Sequence, residues 1–181
     1  MAIYCSPSQR ARDTASYFLS SSSQPPQVLP DLREIHCGRV DGWPISEIQR
    51  CYPELWLENL RQHNPHFRWP GGESYNEFRS RTWSVLRGIV ERHPGDRVLV
   101  VTHCGVISQV FGACHGFNPA RWEAFRPGNA SISELAWGVN GARPLAFDVR
   151  DHFGQKLRRP NQPPGTSLPP MEVLSRAGLQ L

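Results

Sequence analysis

No apolar run in these 181 residues approaches the length of a membrane span, so no membrane-spanning helix is expected. The opening MAIYCSPSQR lacks a basic segment followed by an apolar core. A secretory signal is therefore not expected, and the cytoplasm is the expected compartment. The five cysteines form no C-x-x-C pair and no zinc-ribbon spacing, which favours reduced thiols over a disulfide framework. No ligand spacing recurs among His36, Cys37, His103, Cys104, Cys114 and His115, so neither a metal nor another cofactor is expected. A Walker-type glycine loop, an H-E-x-x-H helix and a G-x-S-x-G elbow are all absent. The formal charge of +4 is dispersed, with no basic stripe interleaved with aromatics. Nucleic acid is accordingly not expected as a partner. What is present suits one buried core with extensions: 39% hydrophobic and 20% charged residues in a chain of this length.

The most informative stretch is 98–107, reading VLVVTHCGVI. Four apolar residues, three of them β-branched, predict a buried strand that stops at a polar turn and re-enters a helix. His103 then stands at a strand's carboxyl end, where the next helix offers unpaired N–H groups. A second strand-to-helix junction lies at the start of the chain. Residues 2–5 predict a short strand, Ser6-Pro7 a helix start, and a helix follows to about residue 20. Arg10 falls in its first turn, either reaching over the strand edge or lying exposed on the helix. If the two strands are parallel neighbours, arginine, histidine and two helix ends converge on a cleft suited to a phosphate group.

Between these junctions, residues 21–26 read as a loop, 28–29 as a short strand and 31–38 as an irregular connection. Two short helices are predicted at 44–49 and 53–62, within an insertion spanning about 43–70 whose inward side chains are Trp43, Leu55, Trp56 and Leu60. Ser74 and Glu77 form a capping box opening a helix with Tyr75, Phe78, Thr82, Val85, Leu86 and Ile89 on one face. It stops at His93-Pro94-Gly95. A helix over 105–115, another over 118–125, and strands over 129–137 and 145–149 complete the folded part. Residues 1–150 are thus expected to form one domain. Residues 151–181 are expected to be a flexible, Pro-rich and partly basic tail. The alternation of strands and helices predicts an α/β three-layer sandwich with a mostly parallel sheet. A thiolate phosphatase loop would place an arginine six residues after its cysteine. Position 110 is Val110, so Cys104 reads as a buried thiol.

The chain resembles the histidine phosphatase superfamily, the phosphoglycerate-mutase-like proteins, through ordered segments. These are Tyr4-Cys5-Ser6-Pro7 with Arg10-Ala11 and Thr14-Ala15; Leu32-Arg33-Glu34 with Gly38 and Asp41-Gly42; Pro70-Gly71-Gly72-Glu73-Ser74; Val100-Val101-Thr102-His103 with Gly105-Val106-Ile107; and Asn129-Ala130-Ser131-Ile132. The resemblance implies a phosphomonoester hydrolase acting on a small phosphorylated metabolite through a phosphohistidine. By it, Arg10 and His103 bind phosphate, His103 also serves catalysis, and Glu34 is the acid. Ser6, Glu73, Cys104 and Gly105 are secondary candidates. The family's nucleophile lies in an Arg-His-Gly segment after a first strand, and no such triplet occurs here. The expected domain is therefore N-terminally truncated, and the chain as it stands inactive. A non-catalytic phosphate-binding or interaction module is the alternative, with mutase-type phosphoryl transfer behind it and homodimerisation open.

Overall fold

The computed structural model describes residues 1–19, 24–139 and 141–153. Its elements, in order, are β1 (Ala2–Cys5), α1 (Gln9–Ser16), β2 (Gln27–Val28), α2 (Ile45–Cys51), α3 (Pro53–Arg61), α4 (Tyr75–Arg92), β3 (Val98–Val101), α5 (Cys104–Cys114), β4 (Ile132–Gly138) and β5 (Gly141–Val149). They fall into two compact units, Met1–Arg126 and Pro127–Leu181.

In the first unit β1, β2 and β3 form a parallel sheet in the order β2-β1-β3, with Ala2 opposite Val98 and Cys5 opposite Val101. Side chains alternate across a strand, and here the two faces meet different helices. Ile3, Cys5, Leu99 and Val101 cluster with Ala15 of α1, whereas Tyr4, Val98 and Val100 cluster with Val85, Leu86 and Ile89 of α4. This is the α/β layering expected from the alternation of elements. Each fully buried large apolar side chain contributes roughly 1.5–3 kcal/mol. Phe78 and Ile89, both 2% exposed, therefore secure α4. The capping box is formed as the sequence predicts: Ser74 N donates to Glu77 Oε2 at 2.8 Å and Glu77 N donates to Ser74 Oγ at 3.2 Å.

The insertion forms its own aromatic cluster. Val40, Phe67, Trp69 and Tyr75 are buried, with Trp43, Tyr52, Leu55 and Trp56 packed around them. Leu60, expected inward, is 47% exposed, and Asn59 takes the inward place, where its Oδ1 accepts from the buried Tyr75 hydroxyl. At the first junction the helix starts two residues later than Ser6-Pro7 suggests. Ser6 N donates to Val101 O at 3.0 Å, which extends the sheet ladder by one residue and leaves Ser8 as N-cap. The helix expected over 118–125 is a series of turns. Asn118 Oδ1 accepts from Ala120 N at 2.9 Å, a local bond that competes with helix continuation.

The second unit contains an antiparallel β4–β5 hairpin with Leu135 opposite Pro144 and Trp137 opposite Ala142. The strand expected from residue 129 starts at Ile132, because Ala130 has a left-handed backbone (φ 54°) that ends extended pairing. Ile132, at the start of β4, is 58% exposed. Nearly all of the tail expected over 151–181 lies outside the described residues. Among the described residues no helix is long and apolar enough to cross a membrane.

Candidate active site

Because β1 and β3 are in register, the residues that follow them emerge at the same level. Ser6 is wholly buried and His103 is 5% exposed. Both helices that follow start from an extended residue, Ser8 before α1 (φ −67°, ψ 144°) and His103 before α5 (φ −118°, ψ 161°). That backbone is what an N-cap requires, and it leaves the first N–H groups of each helix unpaired by the helix itself.

Arg10 Nη2 donates to His103 Nδ1 at 2.9 Å. A guanidinium has no acceptor, so Nδ1 must carry the lone pair and the proton of the neutral ring sits on Nε2. From there it is donated to Ser6 Oγ at 2.6 Å, with Ser8 Oγ also within 3.3 Å of Nε2. Ser6 Oγ accepts in addition from Ser8 N at 3.3 Å. Burial lowers the His103 pKa from its ordinary 6.5; the Glu34 charge opposes that shift and the Arg10 charge adds to it. The ring is therefore held neutral, with one nitrogen accepting and the other donating.

This has a consequence for stability. Below about pH 6.5 the unfolded chain binds a proton at His103 that the native chain resists, so this contribution is full above that pH and is lost as the pH falls through the depressed native value. Urea unfolding at about pH 7.5 and 5.5 is expected to show wild type losing more stability on acidification than His103→Gln, and an equal loss would contradict a neutral buried ring.

Glu34 stands at the same helix end. Its Oε2 accepts from Gly105 N at 3.0 Å and its Oε1 from Ile35 N at 2.9 Å. Gly105 lies in the first turn of α5, so the carboxylate also meets the positive end of that helix. The glycine is required by space: a Cβ there would lie 2.1 Å from Glu34 Oε1 and 3.2 Å from Phe78 Cε1. The atom met first is the end of a flexible side chain, so Gly105→Ala is expected to push the carboxylate off the Gly105 N–H while changing unfolding free energy by about 1 kcal/mol or less, read by chemical denaturation.

The structure thus joins Arg10, Ser6 and His103 by direct hydrogen bonds, and Glu34 to Gly105 two residues along from His103. Cys104 is the first residue of α5, between His103 and Gly105, and is half-buried. Glu73 is placed differently. Its Oε2 accepts from Arg81 Nε at 3.1 Å, and its Oε1 accepts from Arg81 Nη2 at 2.6 Å and His36 N at 2.9 Å, so both oxygens are engaged by the protein. Two residues that the sequence reading passes over are Ser8 and Arg81. Ser8 could have been found as the alternative cap two residues after Ser6. Arg81 carries no local signal, since its partners lie up to 50 positions away. Among the described residues there is no group of three or more His, Cys, Asp or Glu side chains able to hold a metal ion.

The fold defines the class: a phosphoglycerate-mutase-like α/β protein. YhfR of Bacillus stearothermophilus matches with a TM-score of 0.74 at 27% identity, over 83% of this chain and 75% of that one. The mycobacterial glucosyl-3-phosphoglycerate phosphatase, in its complex with inorganic phosphate, matches with a TM-score of 0.70 at 25% identity, over 82% and 77%. The sequence profile of the histidine phosphatase superfamily (branch 1) matches residues 1–149, and the chain belongs to that superfamily. The metal-independent phosphoserine phosphatase of Arabidopsis thaliana is 33% identical over 112 residues, which are 61% of this chain and 47% of that protein. The chain spans about half the length of this relative. Two of these relatives are named as phosphatases.

Proposed function

We propose that the chain carries the phosphate-binding and acid groups of a phosphomonoester hydrolase that works through a phosphohistidine, on a histidine outside these 181 residues. The observation that supports this most is the pairing of Arg10 with a neutral, buried His103, two residues before the glycine N–H that holds the Glu34 carboxylate. A phosphate dianion in this place would take the Arg10 N–H donors and the Nε2–H of His103, donors now directed at His103 Nδ1 and at Ser6 Oγ. Among the described residues β3 is bonded on one side only, to β1. A parallel strand laid along its other side would end beside His103, which is where a nucleophile would have to stand.

In this reading the substrate's ester oxygen faces Glu34. The receiving imidazole's lone pair forms a P–N bond while the P–O ester bond breaks, and the Glu34 carboxylic acid proton passes to the departing oxygen. Water then attacks phosphorus, the P–N bond breaks, and the Glu34 carboxylate takes the water proton. Arg10 and His103 neutralise the equatorial oxygens in both steps. The substrate is a small phosphorylated alcohol handled in the cytoplasm, with residues 1–150 as the working domain. Phosphatase is preferred to mutase because the insertion over 43–70 is too short to close a bisphosphate cradle.

The test is labelling with a phosphomonoester such as phosphoserine, quenched in alkaline denaturant, of a polypeptide that also carries the receiving histidine. An acid-labile phosphoryl group on a histidine outside the present sequence is the expected result. Label on His103, or turnover by the 181-residue chain alone, would overturn the assignment of the nucleophile. Phosphate binding by a natural polypeptide that turns over no phosphomonoester would favour the non-catalytic module instead.

A further inference from the structure

The connection over 31–38 has no ladder and only a short 3-10 turn at each end (Pro30–Leu32 and Gly38–Val40), yet its backbone is held at nearly every step. Arg81 supplies most of the hold. Its Nη1 donates to Asp31 O at 2.7 Å and to Arg33 O at 3.1 Å, and its Nη2 donates to Glu34 O at 3.4 Å as well as to Glu73. With Nε on the other Glu73 oxygen, all five N–H donors of the guanidinium are used. The side chains of Arg81 and Glu73 are 11% and 13% exposed, and the guanidinium lies 5.0 Å over the Phe78 ring. Glu73 adds the bond from His36 N, and Asp41 Oδ1 accepts from Cys37 N at 3.0 Å. The two strips of chain also touch directly: a Cβ on Gly38 would lie 2.3 Å from Pro70 O, and one on Gly72 would lie 2.7 Å from His36 O.

The bonds are concentrated on the carbonyls up to and including that of Glu34, and the opposite end of the same residue, its carboxylate, sits on the Gly105 N–H. We propose that Arg81, held by Glu73, is a positioning residue for Glu34: it fixes the acid's backbone to α4 so that the carboxylate meets the start of α5. This rests on the reading of Glu34 as the acid. Lysine in its place could direct one charge at Glu73 but could not span three carbonyls, because an ammonium lacks the planar fork.

The 181-residue chain itself allows a test without turnover. The Gly105 amide proton reports the bond to Glu34, and Glu34→Ala gives its unbonded position by NMR. In Arg81→Lys and in Glu73→Gln the resonance is expected to move most of the way to that position, while the affinity for inorganic phosphate stays within about threefold of wild type, since Arg10 and His103 are untouched. A Gly105 resonance that stays in place in both variants would overturn the proposal. If Arg81→Lys does not fold, Glu73→Gln, which keeps the acceptor for His36 N, decides alone. In the natural enzyme both variants are expected to lose on the order of 10²-fold on an alkyl phosphate and far less on dinitrophenyl phosphate, whose leaving group needs no acid. Equal loss on both would mean a merely structural role. Failure of wild type to bind phosphate would defeat the proposed function while leaving the Gly105 result to judge the clamp.

Discussion

Glu34→Gln is expected to lower turnover of an alkyl phosphomonoester by roughly 10²- to 10⁴-fold in a protein that also carries the receiving histidine. The amide is isosteric with the acid and retains an oxygen to accept from Gly105 N, now at 3.0 Å from the carboxylate. Shape is preserved while the transferable proton is removed; the amide NH2 then faces Ile35 N, whose bond to Oε1 at 2.9 Å is lost, and a second ester separates that local change from the chemistry. The same variant is expected to be nearly silent with a dinitrophenyl ester, because that oxygen departs as a stable anion. Steady-state rates on the two esters side by side provide the measurement. A loss under about threefold on the alkyl ester would show that the acid lies elsewhere.

Much of this site was legible because local chemistry wrote it. VLVV followed by Thr102-His103 gave the strand, its end and the helix after it, and Ser74 with Glu77 gave the start of α4 to the residue. Arg10 and His103 could be brought together on paper because parallel neighbours with a helix after each have only one place for such side chains to meet. What was not legible depends on contacts distant in sequence. Ser6 looked like a cap until the ladder claimed its N–H for Val101. Leu60 looked inward until Asn59 was drawn in by the Tyr75 hydroxyl. The loop carrying Glu34 shows no period because its backbone is satisfied by Arg81, Glu73 and Asp41 side chains rather than by regular structure, and periodicity detects only the latter.

Arg10→Ala is expected to weaken phosphate binding by on the order of 10²-fold or more, about 2.7 kcal/mol, with little change in unfolding free energy because the side chain lies at the surface of α1. Two effects combine. The fork that meets phosphate oxygens is lost, and His103 Nδ1 loses the donor that fixes its tautomer. The second effect can be observed separately. The Arg10 charge helps to hold the His103 pKa below its ordinary value, so its removal moves that pKa upward, against the burial that keeps it low. Following the imidazole carbon-bound protons by NMR against pH should show the upward move in Arg10→Ala but not in Arg12→Ala. Arg12 Nη2 donates to Gln9 Oε1 at 2.6 Å, away from His103, and serves as the control from the same helix. An Arg10→Ala affinity within about threefold of wild type would mean that the cation reading phosphate is a different one. Loss of affinity with no move of His103 would mean that Arg10 binds phosphate without holding the imidazole in place.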